Sequence, residues 1–221
     1  MQDPIRRHDG VNSKALSWFG TVALRRCWRA SRRAGAWLRH ILLGPHPGIT
    51  SQYLLKAAVA KLQGQAVGLL LNNAGVGGAR GQTIGNIDYA AWAKVLDVNT
   101  MGPMRVSEAF LDHVARSDRK LIVTVTSGMG SIADNSSGGS IAYRSSKAAV
   151  NMVVRSLAID LAPRNITCVV VNPGWVQTEM GGPHATLTPA ESVTRLRRLI
   201  DTLGPAQSGK FFNHDGREYA W

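Results

Sequence analysis

A serine, a tyrosine and a lysine in the stretch LIVTVTSGMGSIADNSSGGSIAYRSSKAAVNM, residues 121–152, have the types and spacing that proton transfer needs. Tyr143 and Lys147 stand four residues apart, and on a helix that spacing puts both on one face, one turn apart. A free phenol, with a pKa of about 10, is a poor base at neutral pH. An ammonium held ~4 Å away would favour the phenolate by up to ~4 kcal/mol at an effective dielectric of ~20. That predicts a Tyr143 pKa well below the ordinary value, suited to exchanging a proton with an alcohol or a carbonyl. Ser127, just past an apolar run, could donate a hydrogen bond to a substrate oxygen. Each residue also has a plainer reading: a half-buried tyrosine on an amphipathic helix, a serine turning a loop. A nucleophilic serine is disfavoured, because no G-x-S-x-G surrounds it and no His/Asp partner follows at a suitable place.

These residues need elements to hold them. The β-branched run LIVTVT, closed by Ser127 and two glycines, reads as a buried strand emptying into a loop. The predicted order from Ser51 is helix QYLLKAAVAKL, strand VGLLLNNAG, a helix over 86–98, a second over 104–116, strand LIVTVTS, helix AYRSSKAAVNMVVRSLAIDLA, and strand ITCVVVNP. A last helix spans 189–203, with Thr188 as cap and Glu191 three residues on. KFFNHDG reads as a final short strand. Apolar strands without alternation, separated by helices, indicate a parallel sheet covered on both faces.

The 221 residues suffice for one domain with a sizeable core, and no window approaches ~18 uninterrupted apolar residues. No membrane span is therefore expected. Cys27 and Cys168 are too few for a disulfide framework, which suits a reducing, cytoplasmic compartment. The six histidines show no metal-like pairing, so no metal is expected, and His113, His184 and His214 read as surface residues. The net charge of +12 is uneven: residues 1–50 carry +7 and residues 51–221 only +5. The basicity belongs to the head of the chain, which argues against nucleic acid as a partner of the whole. Within that head, RRCWRASRRAGAWLRHILL could form a basic amphipathic helix, of the kind seen in transit peptides and on membrane surfaces.

Five segments together resemble the short-chain dehydrogenase/reductase family, in that family's order: LLLNNAG at 69–75, DVNTMGP at 97–103, TSGMGSI with Ser127, YRSSK, and VNPGWVQTEM. The resemblance covers about residues 52–221. GNIDY, the loop SIADNSSGGS and the segment DGREYAW are most similar to the C-factor and sniffer-type carbonyl reductases. The resemblance implies an α/β fold, a Rossmann-like doubly wound parallel sheet in a single domain. It also implies an NAD(P)-dependent oxidoreductase that interconverts a carbonyl and an alcohol by hydride transfer.

Carried over, it assigns catalysis to Asn99, Ser127, Tyr143 and Lys147. Tyr143 would be the acid or base, and Lys147 would lower its pKa and hold the nicotinamide ribose. Ser127 would orient the carbonyl, and Asn99 would support a proton-relaying water. NAD or NADP would lie along Asn73, Ala74, Gly75, Tyr143, Lys147, Pro173, Gly174, Val176 and Thr178. The segments 130–141 and 175–190, with Trp175, Met180 and His184, would line a pocket for a small-molecule carbonyl or alcohol. The helices at 104–116 and 141–161 resemble those through which family members form homo-oligomers.

One hallmark is missing. The family's apolar strand, Thr-Gly-x-x-x-Gly-x-Gly turn and helix, which receive the pyrophosphate, do not occur in residues 1–50. Half of the six tryptophans fall there. Residues 1–50 therefore read as an atypical basic segment, consistent with wrong-frame translation or disorder, and residues 51–221 as the catalytic region. The alternative function is an impaired remnant or binding protein that lacks the pyrophosphate site.

Overall fold

The computed structural model describes residues 40–43, 50–62, 64–79 and 81–221. Five strands form one sheet: β1 (His40–Leu43), β2 (Leu69–Asn72), β3 (Leu121–Val125), β4 (Thr167–Asn172) and β5 (Phe211–Asn213). They lie side by side in chain order, and every neighbouring pair is parallel. The helices are α1 (Gln52–Lys61), α2 (Tyr89–Leu96), α3 (Gly102–Ala109), α4 (Leu111–Ala115), α5 (Ile141–Asp160) and α6 (Pro189–Thr202).

Alternation along the strands sends side chains to two cores. Leu70, Ile122, Val170 and Phe211 face α1, α3, α4 and α5, where Leu55, Val106, Phe110, Val150 and Val154 meet them. Leu69, Leu71, Val123, Val125, Val169 and Val171 face the opposite way, onto Leu196, Leu199 and Ile200 of α6. Both faces are apolar, which is why these strands read as continuous hydrophobic runs. α6 starts as its sequence predicts: Thr188 Oγ1 accepts from the Glu191 amide, and Glu191 accepts from the Thr188 amide in return.

Two expectations need correction. The basic stretch ending RHILL reads as a helix, yet His40–Leu43 is strand, paired with Leu69–Asn72. Four residues are too few for periodicity to separate a strand from a helix. The expected helix over residues 25–39, and the rest of the atypical segment, lie outside the described residues. His113, expected at the surface, is buried on α4, with Nε2 3.1 Å from the Leu62 carbonyl and its ring edge-on to Phe110. Among the described residues, no helix is long and apolar enough to cross a membrane, and no three His, Cys, Asp or Glu side chains cluster as metal ligands would.

Candidate active site

The site is built where β2, β3 and β4 end, since the carboxyl ends of parallel strands are where such sheets present loops to ligands. β2 runs into Asn72-Asn73-Ala74-Gly75. Asn72 is structural, its Nδ2 donating to Ser107 Oγ at 3.0 Å and Thr124 Oγ1 at 3.2 Å. Asn73 and Ala74 are buried, and Asn73 Nδ2 has no partner among the described residues. Gly75 packs beside the polar cluster: a Cβ there would stand at ordinary contact distance, 3.4 Å from Lys147 Nζ and 3.5 Å from Asn99 Oδ1.

Asn99 reaches this loop from a π-helical turn, Asp97–Met101, between α2 and α3. Its Oδ1 accepts from the Val76 amide at 2.8 Å, and its Nδ2 donates to the Val76 carbonyl at 2.8 Å and to Ser146 Oγ at 2.9 Å. The side chain is 1% exposed. It positions the loop and α5, and its Oδ1 keeps one further acceptor position.

β3 ends in Ser127 and a 3-10 turn, Gly128–Gly130. Ser127 Oγ accepts from the Met129 amide at 3.2 Å, so the loop-turning role is real. It also lines the cleft beside Tyr143, whose pKa it works to lower. Gly130 lets the turn press onto α5, because a Cβ there would come within 2.9 Å of the Lys147 main-chain carbon. On α5, Tyr143, Lys147, Val150, Val154 and Ala158 form the buried stripe. Each buried valine contributes on the order of 1.5–3 kcal/mol, so the helix that carries the polar pair is anchored by its own apolar residues.

Lys147 is 4% exposed, and its ammonium donates to the Val125 carbonyl at 3.1 Å. Burial pulls its pKa down to about 8. Nζ lies 5.7 Å from the Tyr143 ring centroid. Tyr143 moves opposite to the expectation: burial pushes it up to about 12, offset only in part by the neighbouring Ser127. The reason is that the phenol is desolvated while the ammonium is turned toward β3. At neutral pH the phenol therefore keeps its proton.

β4 ends before Pro173 and Gly174. The Pro173 carbonyl accepts from Ser192 Oγ at 2.7 Å. Gly174 has φ +81°, and a Cβ on it would sit 2.6 Å from both Leu187 and His214 side-chain atoms. Val176 is buried and bridges Leu187. The Thr178 hydroxyl, expected to reach a carboxamide, is engaged by the Val176 carbonyl at 3.3 Å and the Gly181 amide at 3.1 Å.

A cleft of about 700 Å³ opens over these loops, lined among others by Ser127, Tyr143, Gly174, Val176, Trp175 and Met180. The structure thus brings Ser127 and Tyr143 into the cleft, with Lys147, Gly75 and Asn99 clustered behind them. His184 is exposed and does not line it. Lining residues that the sequence left unassigned include Arg144 and Tyr219, and the glycines after Gly75. Arg144 follows Tyr143 directly; Tyr219 sits in DGREYAW, a segment noted only for its resemblance.

A model of the family described as short chain dehydrogenase matches residues 49–186. The chain is 47% identical over 155 residues to the C-signal of Myxococcus xanthus, covering 70% of this chain and 93% of that protein. It is 34% identical over 187 residues to a 1-hydroxy-2-glutathionyl-2-methyl-3-butene dehydrogenase of Rhodococcus sp. (strain AD45), covering 82% of this chain and 81% of that one. Among solved structures, the carbonyl reductase Sniffer of D. melanogaster superposes with a TM-score of 0.75 at 34% identity, covering 78% of this chain and 75% of the other. An NADPH-bound carbonyl reductase from chicken fatty liver gives 0.72 at 34% identity, with the same coverage.

Proposed function

The chain belongs to the short-chain dehydrogenase family of oxidoreductases, and on that premise we propose that it reduces a small-molecule carbonyl compound to its alcohol, with Tyr143 as the proton donor. The observation that carries the reading is that Ser127 and the buried Tyr143 line one cleft, with the Lys147 ammonium 5.7 Å from the Tyr143 ring. With burial holding its pKa up at about 12, the phenol carries its proton at neutral pH, the form in which it can donate to a carbonyl oxygen.

The residues at the nicotinamide end suit a dinucleotide. Asn73 Nδ2 is a buried donor without a partner among the described residues, and such a group calls for an acceptor. Lys147 uses one N–H on Val125, and an ammonium has two more to offer ribose hydroxyls. Ala74, Gly75, Pro173, Gly174, Val176 and Thr178 form the surrounding walls. A reduced nicotinamide would supply hydride when bound, NADPH being the form held by the chicken relative. Ser127 then fixes the carbonyl oxygen beside Tyr143 and stabilises its developing charge, a contribution of several kcal/mol in comparable oxyanion sites (about 3–4). Tyr143 delivers its proton to that oxygen. The Lys147 ammonium behind it steadies the phenolate left behind, and Asn99 keeps the β2 loop and α5 in register throughout. We assign the work to the cytoplasm, to the catalytic region 51–221.

Turnover of a panel of small aldehydes and ketones, with NADPH and with NADH, tests the reading. Tyr143→Phe should lower kcat at least ~100-fold while leaving ketone affinity unchanged. Equal rates for wild type and variant would sink the assignment of the proton donor.

A second reading has one observation behind it: the relative at 47% identity is named as a signal, and no Thr-Gly-x-x-x-Gly-x-Gly turn occurs in these 221 residues. On that reading the cleft binds and does not turn over. Absence of nicotinamide oxidation across the panel, with ketone binding retained, would select it.

A further inference from the structure

The last stretch of the chain returns to the cleft by a route that the proposed proton transfer does not use. After β5 the chain turns, with the Asn213 amide donating to the Arg217 carbonyl at 2.8 Å, and Phe212 and Glu218 bridge antiparallel. The Tyr219 amide then donates to the Phe211 carbonyl at 2.7 Å, and the Phe211 ring lies 4.9 Å from Tyr219 and 5.6 Å from Trp221. The Trp221 carbonyl accepts from the Ile132 and Ala133 amides, both at 2.9 Å, and from Ser131 Oγ at 3.1 Å. The segment is thus clasped onto the loop that starts at Ser127.

Within that clasp the Tyr219 hydroxyl donates to Asp134 Oδ2 at 2.7 Å. The same hydroxyl lies 2.9 Å from where a Cβ on Gly128 would stand, one residue from Ser127. Both Asp134 and Tyr219 line the active cleft. With its proton committed to Asp134, the phenol oxygen has only acceptor capacity left, and an ionised carboxylate is acceptor-only. This wall can take a hydrogen bond and cannot give one. Trp175, Val176, Met180 and Ile141 add apolar lining to the same cleft. Arg144, the cation lining the cleft among the described residues, already donates to the Gly138 carbonyl at 3.0 Å and to Ser137 Oγ at 2.8 Å.

We propose that the Asp134–Tyr219 pair is a specificity element that reads a hydrogen-bond donor on the substrate, beyond its carbonyl. The substrates are therefore hydroxy- or amino-substituted aldehydes and ketones with an apolar body. The inference rests on the carbonyl-reductase reading for the word substrate, while the binding preference does not depend on it.

The test is calorimetric binding of acetophenone against its α-hydroxy and para-hydroxymethyl derivatives, with turnover in NADPH measured alongside. At least one hydroxylated ketone should bind about tenfold tighter than acetophenone. Asp134→Ala should bring that ratio below about threefold while acetophenone affinity changes less than about twofold, and Tyr219→Phe should reduce it in the same way. Asp134 is exposed, so its removal leaves the core intact even if the tail variant folds poorly. No preference in the wild type, or a preference that survives Asp134→Ala, overturns the proposal. Preference without turnover sinks the reductase reading and keeps the pair; turnover without preference does the reverse.

Discussion

Asn99 closes two hydrogen bonds on the backbone of a single residue, Val76, accepting from its amide and donating to its carbonyl, both at 2.8 Å. Its second donor then reaches Ser146 Oγ, which itself donates to the Tyr143 carbonyl at 2.7 Å. One side chain thereby ties the loop after β2 to the first turn of α5. The π-helical turn that carries Asn99 is what aims it at both, and such turns recur at functional sites.

Replacing Asn99 by Ala should cost about 2–4 kcal/mol, because buried backbone groups of Val76 lose their partners. Asn99→Asp should cost at least as much at neutral pH, since a carboxylate cannot donate to Val76 or Ser146. Urea unfolding measures both. A loss below about 0.5 kcal/mol would mean that the loop is held by something else.

The Lys147 ammonium gives the protein an unusual dependence on pH. Its folded pKa of about 8 lies below the ordinary 10.5, so between those values the unfolded chain holds the proton more tightly. Stability therefore rises with pH across that window, the cost of burying the charge being fully felt below about 8. Tyr143 acts oppositely and higher: raised from 10.0 to about 12, it makes stability fall between those two values. Relative to Lys147→Met, wild type should gain roughly 2 kcal/mol between about pH 7.5 and about pH 9.5. Parallel curves for the two proteins would contradict the buried, ionisable lysine.

Binding of the dinucleotide should be weak. The nicotinamide end has its donors, but the sequence has no glycine-rich turn opening a helix for the pyrophosphate. Fluorescence titration with NADPH and NADH should give dissociation constants above about 0.1 mM. Micromolar binding would show that another part of the chain cradles the phosphates.

Much of this was legible in the residues. Strands β2 to β5 and all of α1, α2, α5 and α6 stand where their apolar patterning put them, because each is long enough, or apolar enough, to show its period. The helix expected over 104–116 is two, broken at Phe110, which leaves the α-helical region with ψ +6°; its period is unaffected by so small a kink. The Tyr143 pKa was misjudged for a physical reason: sequence spacing fixes which face a side chain shares but not where its charge points. Lys147 points at Val125, and burial then outweighs attraction. Tyr219 was hidden for another reason, since its contact with Asp134 spans 85 residues, and no local pattern encodes a partner so far away.

That distance has a consequence for how the protein is made. The loop that follows Ser127 gets its fastening from Trp221, 90 residues later in the chain. A chain leaves the ribosome amino end first, at about 5–20 residues per second. The nascent loop therefore waits on the order of 5–20 s for its clasp. Helix α5 can fold onto the sheet in that interval, while the contact between Tyr219 and Asp134 forms only after the 85 residues between them have been made.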